Sequence, residues 1–221
     1  MKDQGIILRA VPYQDNHHIV SAFTKEGGIV RLFVRGTLRS RRASHALCTP
    51  LVLAELVMRE GKGGLFSLKE GNVVDPHTGL RADYGRLDAA GQMAGALLAL
   101  LWPGKPAPSL FTLSARYLKA MEGAAHPDAL LASFLCKVLK HEGLWVAPLN
   151  CAGCEAPLAS CAAIRSETLC ARCAPVGGVE LGEEEREALV RLTESRRFEE
   201  IDHPLPETLP QKVSLIFKSS L

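Results

Sequence analysis

Short apolar runs broken by turn residues fill the first third of the chain. Residues 5–11 (Gly-Ile-Ile-Leu-Arg-Ala-Val), 17–24 (His-His-Ile-Val-Ser-Ala-Phe-Thr) and 28–34 (Gly-Ile-Val-Arg-Leu-Phe-Val) are brief and rich in β-branched side chains. The polar stretches Tyr13–Asn16 and Lys25–Gly28 separate them, which predicts three strands joined by tight turns. A polar segment, Thr37 to His45, precedes two more runs, Leu51–Met58 and Leu65–Val74, around the turn Gly61-Lys-Gly-Gly64. Three strands, an insertion with room for one helical turn, and two strands is the element order of an OB-fold barrel, with an SH3-like barrel as the rival.

Beyond Asn72–Gly79 the apolar period changes from two to about three and a half, the helical value. Leu87, Ala90, Ala94, Leu97, Leu98 and Leu101 form one helical face, stopped by Trp102-Pro103-Gly104. Leu110, Leu113, Tyr117, Leu118 and Met121 form a second, and Leu130, Leu131, Phe134, Leu135, Val138 and Leu139 a third, so these faces are expected to pack as a bundle. Glu183-Glu184-Glu185 after Gly182 reads as a solvated helix start, acids lying at the positive end of the helix dipole. Leu209, Val213 and Ile216 mark a short last helix. The expected class is a multidomain α+β protein: an OB-fold barrel over residues 1–79, a helical domain over 80–149, a four-cysteine zinc element over 150–178, and C-terminal helices over 179–221 packing on the helical domain.

The chain of 221 residues carries a net charge of only +2, which selects no partner, but the charge is unevenly spread. Residues 1–79 hold eleven Lys/Arg against seven Asp/Glu, and residues 151–221 hold eight against twelve. A basic front and an acidic tail suggest an anionic partner at the N-terminal end. The start Met-Lys-Asp-Gln-Gly lacks the features of a secretory signal, and the longest apolar run, about Met93 to Trp102, is too short to span a bilayer. A cytoplasmic protein without a membrane partner is the expectation.

Two Cys-x-x-Cys pairs, Cys151/Cys154 and Cys170/Cys173, carry the clearest chemistry. In a reducing compartment this spacing suits one structural zinc ion per chain. Four thiolates close a tetrahedral shell and leave no position for water or substrate, so such a metal braces the fold and does no chemistry. Cys48, Cys136 and Cys161 are left as expected buried thiols, and an alternative quartet using Cys161 has poorer spacing. Arg31, Arg35, Arg39, Arg41 and Arg42 fall within twelve residues that contain no acid. Arg31 and Arg35, four apart on a strand, share a face, and such a basic strip attracts phosphates. Arg9 and Lys62 are further candidates, and Tyr13, in a turn, is the best stacking residue for a nucleotide base, whereas Phe23 and Phe33 lie inside apolar runs and read as core. The bland alternative is a solvated edge whose charge keeps the barrel monomeric. His17-His18 point to opposite sides of a strand and do not form a ligand pair. No G-x-S-x-G, H-E-x-x-H or phosphate-loop motif occurs, and the chain is not expected to be an enzyme.

Gly5-Ile-Ile-Leu-Arg9, Tyr13, Asp15, Ile19-Val20, Phe23-Thr24-Lys25-Glu26-Gly27-Gly28, then Arg31, Val34-Arg35-Gly36 and Arg39, resemble the N-terminal signature of the bacterial recombination mediator family RecO. The later helical block and the Cys151–Cys173 module follow that family's order, so the resemblance covers nearly the whole chain. Some family members lack the four cysteines, which makes zinc the property of a subset. The resemblance implies binding of single- and double-stranded DNA, annealing of complementary strands, a nucleoid-associated location and association with the partner RecR. It also implies help in loading recombinase onto strands coated by single-strand-binding protein, whose C-terminal tail is a candidate ligand for apolar surface between Leu87 and Leu139. An adaptor whose helical domain docks a partner, with zinc as a brace and no DNA role, is the alternative.

Overall fold

The computed structural model describes residues 1–14, 16–36, 46–164, 167–174 and 178–221. Its residues group into two compact units, Met1–Gly123 and Ala124–Leu221.

The first unit opens with five strands, β1 (Lys2–Tyr13), β2 (His17–Thr24), β3 (Gly28–Val34), β4 (Leu53–Glu60) and β5 (Leu65–Asp75). They close into a barrel in the order β1-β2-β3-β5-β4, with every pairing antiparallel except β3 with β5, and this is the OB-fold arrangement. Alternate side chains fill the inside: Val20 and Ala22 from β2, Val30, Leu32 and Val34 from β3, and Ala54, Leu56 and Met58 from β4. Closure leaves no long unpaired edge to recruit another chain.

One irregularity decides how the outer surface is used. In β1 the register with β2 slips between Ile7 and Arg9, so Leu8 is an extra residue. Ile7 faces the barrel core, while Ile6 and Leu8 face outward against Met93, Ala94, Leu97, Ser114 and Leu118. If Leu8 were paired as a regular ladder residue, strict alternation from Ile7 would turn Arg9 inward; because Leu8 is bulged, Arg9 opposes Ser21 on the outside.

The residues facing Ile6 and Leu8 come from two helices, α1 (Tyr84–Leu100) and α2 (Pro108–Met121). Asp83 caps α1 by accepting from the Arg86 amide at 2.9 Å. Phe23, fully buried, meets Phe111 of α2 edge-on, with ring centroids 5.6 Å apart. The turn between the helices lies along the start of β3, where Gly104 donates to the Ile29 carbonyl at 3.0 Å. A Cβ on Gly28, whose φ is +66°, would stand 2.1 Å from the Lys105 carbonyl oxygen, so this approach requires glycine.

The second unit holds α3 (Pro127–His141), a three-stranded sheet of β6 (Cys161–Ile164), β7 (Glu167–Leu169) and β8 (Val179–Leu181), and then α4 (Glu183–Glu194), α5 (Phe198–Ile201) and α6 (Leu209–Ser219). The three helical faces read from the sequence therefore divide between the units, α1 and α2 with the barrel and α3 with the C-terminal helices. Phe134, Val138, Leu189, Leu192, Ile201, Val213 and Ile216 are buried. The Asp202 carboxylate accepts from the Ala125 and His126 amides and so supplies the negative charge that the start of α3 favours. Glu185 departs from the solvated helix start expected of its run. It is only 9% exposed and accepts from Lys212 Nζ, Thr208 Oγ1 and the Gly182 amide. Burial alone would raise its pKa, but these donors outweigh burial and hold the carboxyl below its ordinary value. Among the described residues no helix is long and apolar enough to cross a membrane.

Candidate nucleic-acid interface and cysteine cluster

The ladders of the barrel set outward residues in rows. Arg9, Ser21 and Arg31 lie opposite one another across β1, β2 and β3. The next row on the same face is Val11, Ile19 and Phe33, and Tyr13 pairs with His17 beyond it. Arg35 follows Phe33 by two residues, the spacing that returns to one face of extended chain. Arg9, Val11, Tyr13, Arg31 and Arg35 are exposed, and Ser21, His17, Ile19 and Phe33 half-buried. A strip of apolar and aromatic side chains is thus flanked by cations. Neighbouring rows are about 6.8 Å apart, two strand residues, which is comparable to the phosphate spacing of an extended single strand.

Phe33 is the correction here. It belongs to the outer strip and not to the core, with its ring 6.2 Å from Tyr13 and 5.1 Å from His17. Its place in an apolar run concealed this, although alternation with buried Leu32 and Val34 carried the signal. Phe23 is core, as read. His17, dismissed as a ligand, belongs to the strip as a packing residue. Among the described residues no side-chain hydrogen bond or ion pair is seen for Arg9, Arg31 or Arg35, and all three are exposed. Arg39, Arg41 and Arg42 lie outside the described residues. Lys62 begins a short 3₁₀ turn, Lys62–Gly64, between β4 and β5, and its side chain also lies outside what is described.

The four cysteines of the two pairs converge. The sulfurs of Cys151, Cys154, Cys170 and Cys173 all lie within 4.8 Å of one another, and those of Cys154 and Cys170 are 3.8 Å apart. Two short backbone devices bring them there. The Ala152 amide donates to the Thr168 carbonyl at 2.9 Å, tying the first pair to β7, and β7 runs directly into Cys170. Within each pair the chain turns tightly, Glu155 N–H to the Cys151 carbonyl and Cys173 N–H to the Cys170 carbonyl. The Cys170 amide donates to the Cys151 sulfur at 3.3 Å, and with the Gly153 and Cys154 amides it draws the Cys151 thiol down to about 6. Cys173 is pushed up to about 12, because its hydrogen bonds with Cys170, Cys154 and Cys151 favour the protonated form. Four sulfurs this close cannot all ionise without a cation among them, and this donor set could hold a metal ion. Cys161 stays outside the cluster, buried in β6, its thiol pushed up to about 11 by burial. Cys136 is buried and Cys48 half-buried.

A second grouping, Asp75, His77 and Glu122, has ligand-type atoms equally close. Lys119 Nζ, however, is 3.0 Å from Asp75 and 2.9 Å from Glu122, so an ammonium already neutralises the carboxylates. Asp75 also accepts from the His77 amide, Glu122 from the Gly79 amide, and His77 Nδ1 meets the Leu51 carbonyl at 2.8 Å. These bonds join the end of β5 to the helices and make a structural clasp.

A family model described as Recombination protein O N terminal matches residues 1–77, and one described as Recombination protein O C terminal matches residues 81–209. The chain is 25% identical over 218 residues to a DNA repair protein RecO of Chlamydia pneumoniae, covering 97% of this chain and 86% of that protein. It is 34% identical over 181 residues to a DNA repair protein RecO of Anaeromyxobacter sp. (strain K), covering 79% and 71%.

Proposed function

The chain belongs to the Recombination protein O family of DNA repair proteins, and from that premise we propose that it is a non-enzymatic recombination mediator that binds single- and double-stranded DNA and anneals complementary strands. The observation that carries this reading is the exposed strip of β1–β3, where Val11, Phe33 and Tyr13 lie between Arg9, Arg31 and Arg35. Guanidinium groups on such a strip neutralise phosphates, and aromatic rings offer stacking surface indifferent to base identity. Two strands held this way repel each other less and can pair. Arg39, Arg41, Arg42 and Lys62 add to the same basic region in this reading. RecR and the C-terminal tail of single-strand-binding protein are the proposed protein partners, with recombinase loading the outcome, and the proposed location is the cytoplasm, on the nucleoid. Labour follows the chain in this proposal, residues 1–79 engaging DNA, 80–149 a partner, 150–178 one zinc ion, and 179–221 supporting them.

Zinc is the proposed occupant of the cysteine cluster because soft thiolates in a tetrahedral set suit it, and it would supply charge neutralisation and a cross-link. Cys151, Cys154, Cys170 and Cys173 would hold it. Elemental analysis of freshly reduced protein is expected to find about one zinc per chain. The adaptor alternative draws support from Tyr84 and Trp102, which are 83% and 76% exposed near the two ends of α1. Titration of a labelled oligonucleotide across a salt series separates the readings, since an adaptor shows no steep loss of affinity with salt.

A further inference from the structure

His17 opens β2, and its ring does two things at once. It packs on Phe33 at a 55° tilt, and its Nδ1 accepts the Gly36 backbone N–H at 3.2 Å. Gly36 is the second residue beyond β3 and directly follows Arg35. The approach is close: a Cβ on Gly36 would stand 2.3 Å from the Asn16 carbonyl oxygen, so this backbone rests on the residue just before His17. The end of β3 is therefore latched to the start of β2 at the place where the strip carries Arg35 and Phe33.

An amide can donate only to an unprotonated ring nitrogen, so the latch requires Nδ1 to be free of a proton. We propose that His17 is a positioning residue for DNA binding, its Nδ1–Gly36 latch fixing the Arg35 backbone so that Arg35 and Phe33 are presented together on the open strip. This inference rests on the DNA-binding reading of that strip. His17 touches no phosphate in this account. Losing the latch lowers affinity without removing a counterion-releasing contact, so the salt slope is the readout that separates positioning from contact.

Two substitutions divide the roles of the ring. His17→Phe keeps an aromatic ring on Phe33 and removes the acceptor, and His17→Asn places an amide oxygen near the position of Nδ1 and removes the ring. Binding of a labelled thymidine oligonucleotide to the full chain is expected to weaken roughly three- to tenfold in His17→Phe, the size of one hydrogen bond, with its salt slope unchanged. His17→Asn is expected to stay within about twofold of the parent. Hydrogen exchange at the Gly36 amide is expected to accelerate in His17→Phe and not in His17→Asn, and ring-nitrogen spectra to show the proton on Nε2. Parental affinity in His17→Phe, unaltered Gly36 exchange, a proton on Nδ1, or a flattened salt slope would each overturn the assignment. If the parent fails to bind the oligonucleotide, the DNA reading and the positioning role fall together, while Gly36 exchange still decides whether the latch exists.

Discussion

The outer face of β1–β3 has two halves that meet different fates. In one, Ile6, Leu8, Phe23 and Ile29 are covered and almost fully buried, and Phe23 rests on Phe111. In the other, Arg9, Val11, Tyr13, Arg31 and Arg35 are open to solvent on the same three strands. The bulge at Leu8 lies on the dividing line in β1 and lets both halves share one face. One sheet thus has half a face covered and half open, and the two halves predict opposite consequences for equivalent substitutions.

Deleting Leu8 attacks the division itself. Ile7 would then run straight into Arg9, which still opposes Ser21 outside the barrel, but the covered half would lose the Leu8 side chain, only 5% exposed, at or above the roughly 2–5 kcal/mol of truncating a buried leucine. A clearly lowered thermal midpoint by circular dichroism is the expected result, and a parental melt would show that the bulge is dispensable. Phe23→Ala against Phe33→Ala contrasts the halves directly. The first is expected to cost about 3–5 kcal/mol in denaturant titration. The second removes a half-buried ring, so its stability loss is expected to be well below that of Phe23→Ala, with binding weakened by about 1–3 kcal/mol per stacked base. Equal destabilisation by both would mean that Phe33 is core after all.

The sequence shows this division more clearly in the strands than in the ligand sites. Strict alternation such as Val30, Leu32 and Val34 against Arg31 and Phe33 marks a half-exposed strand segment, whereas Ile6-Ile7-Leu8 and Ala22-Phe23 are continuous apolar runs because both sides are buried there. All five barrel strands and the three long apolar helices follow from period alone. Tertiary partners do not. Nothing local in Glu183-Glu184-Glu185 separates the third acid, which meets Lys212 and Thr208 from a distant helix, from its two exposed neighbours. Cys151, Cys154, Cys170 and Cys173 were legible because metal-ligand spacing is a local rule, and His17 was missed because its partner, Gly36, is nineteen residues away.

A test in the second unit sharpens the contrast by leaving the open half alone. Cys170→Ser is expected to reduce metal content and lower the thermal midpoint while oligonucleotide affinity stays within about threefold, since metal sites of this kind couple to folding. Parallel loss of affinity at a temperature where the variant is folded would place part of the DNA site in that unit. A smaller effect comes from Glu185→Gln, expected to cost roughly 1–2 kcal/mol through its charge-assisted bonds. The Glu185 carboxyl is held below its ordinary value, so its contribution is present above the unfolded-state pKa of about 4.3 and is lost as pH falls through the folded value. The variant and the parent are therefore expected to converge in stability at acid pH, and a difference that persists there would contradict the ion pair's role.

If the open half of this face binds the DNA backbone, the salt dependence of oligonucleotide affinity reports it. Arg31→Gln combined with Arg35→Gln leaves the fold intact, because both side chains are exposed. Each phosphate contact on a single strand contributes about 0.7 to the slope of log affinity against log salt, so the double variant is expected to flatten that slope by roughly one to two units, equally for unrelated sequences. A folded double variant with the parental slope and affinity would contradict the account and place the DNA site elsewhere on the molecule.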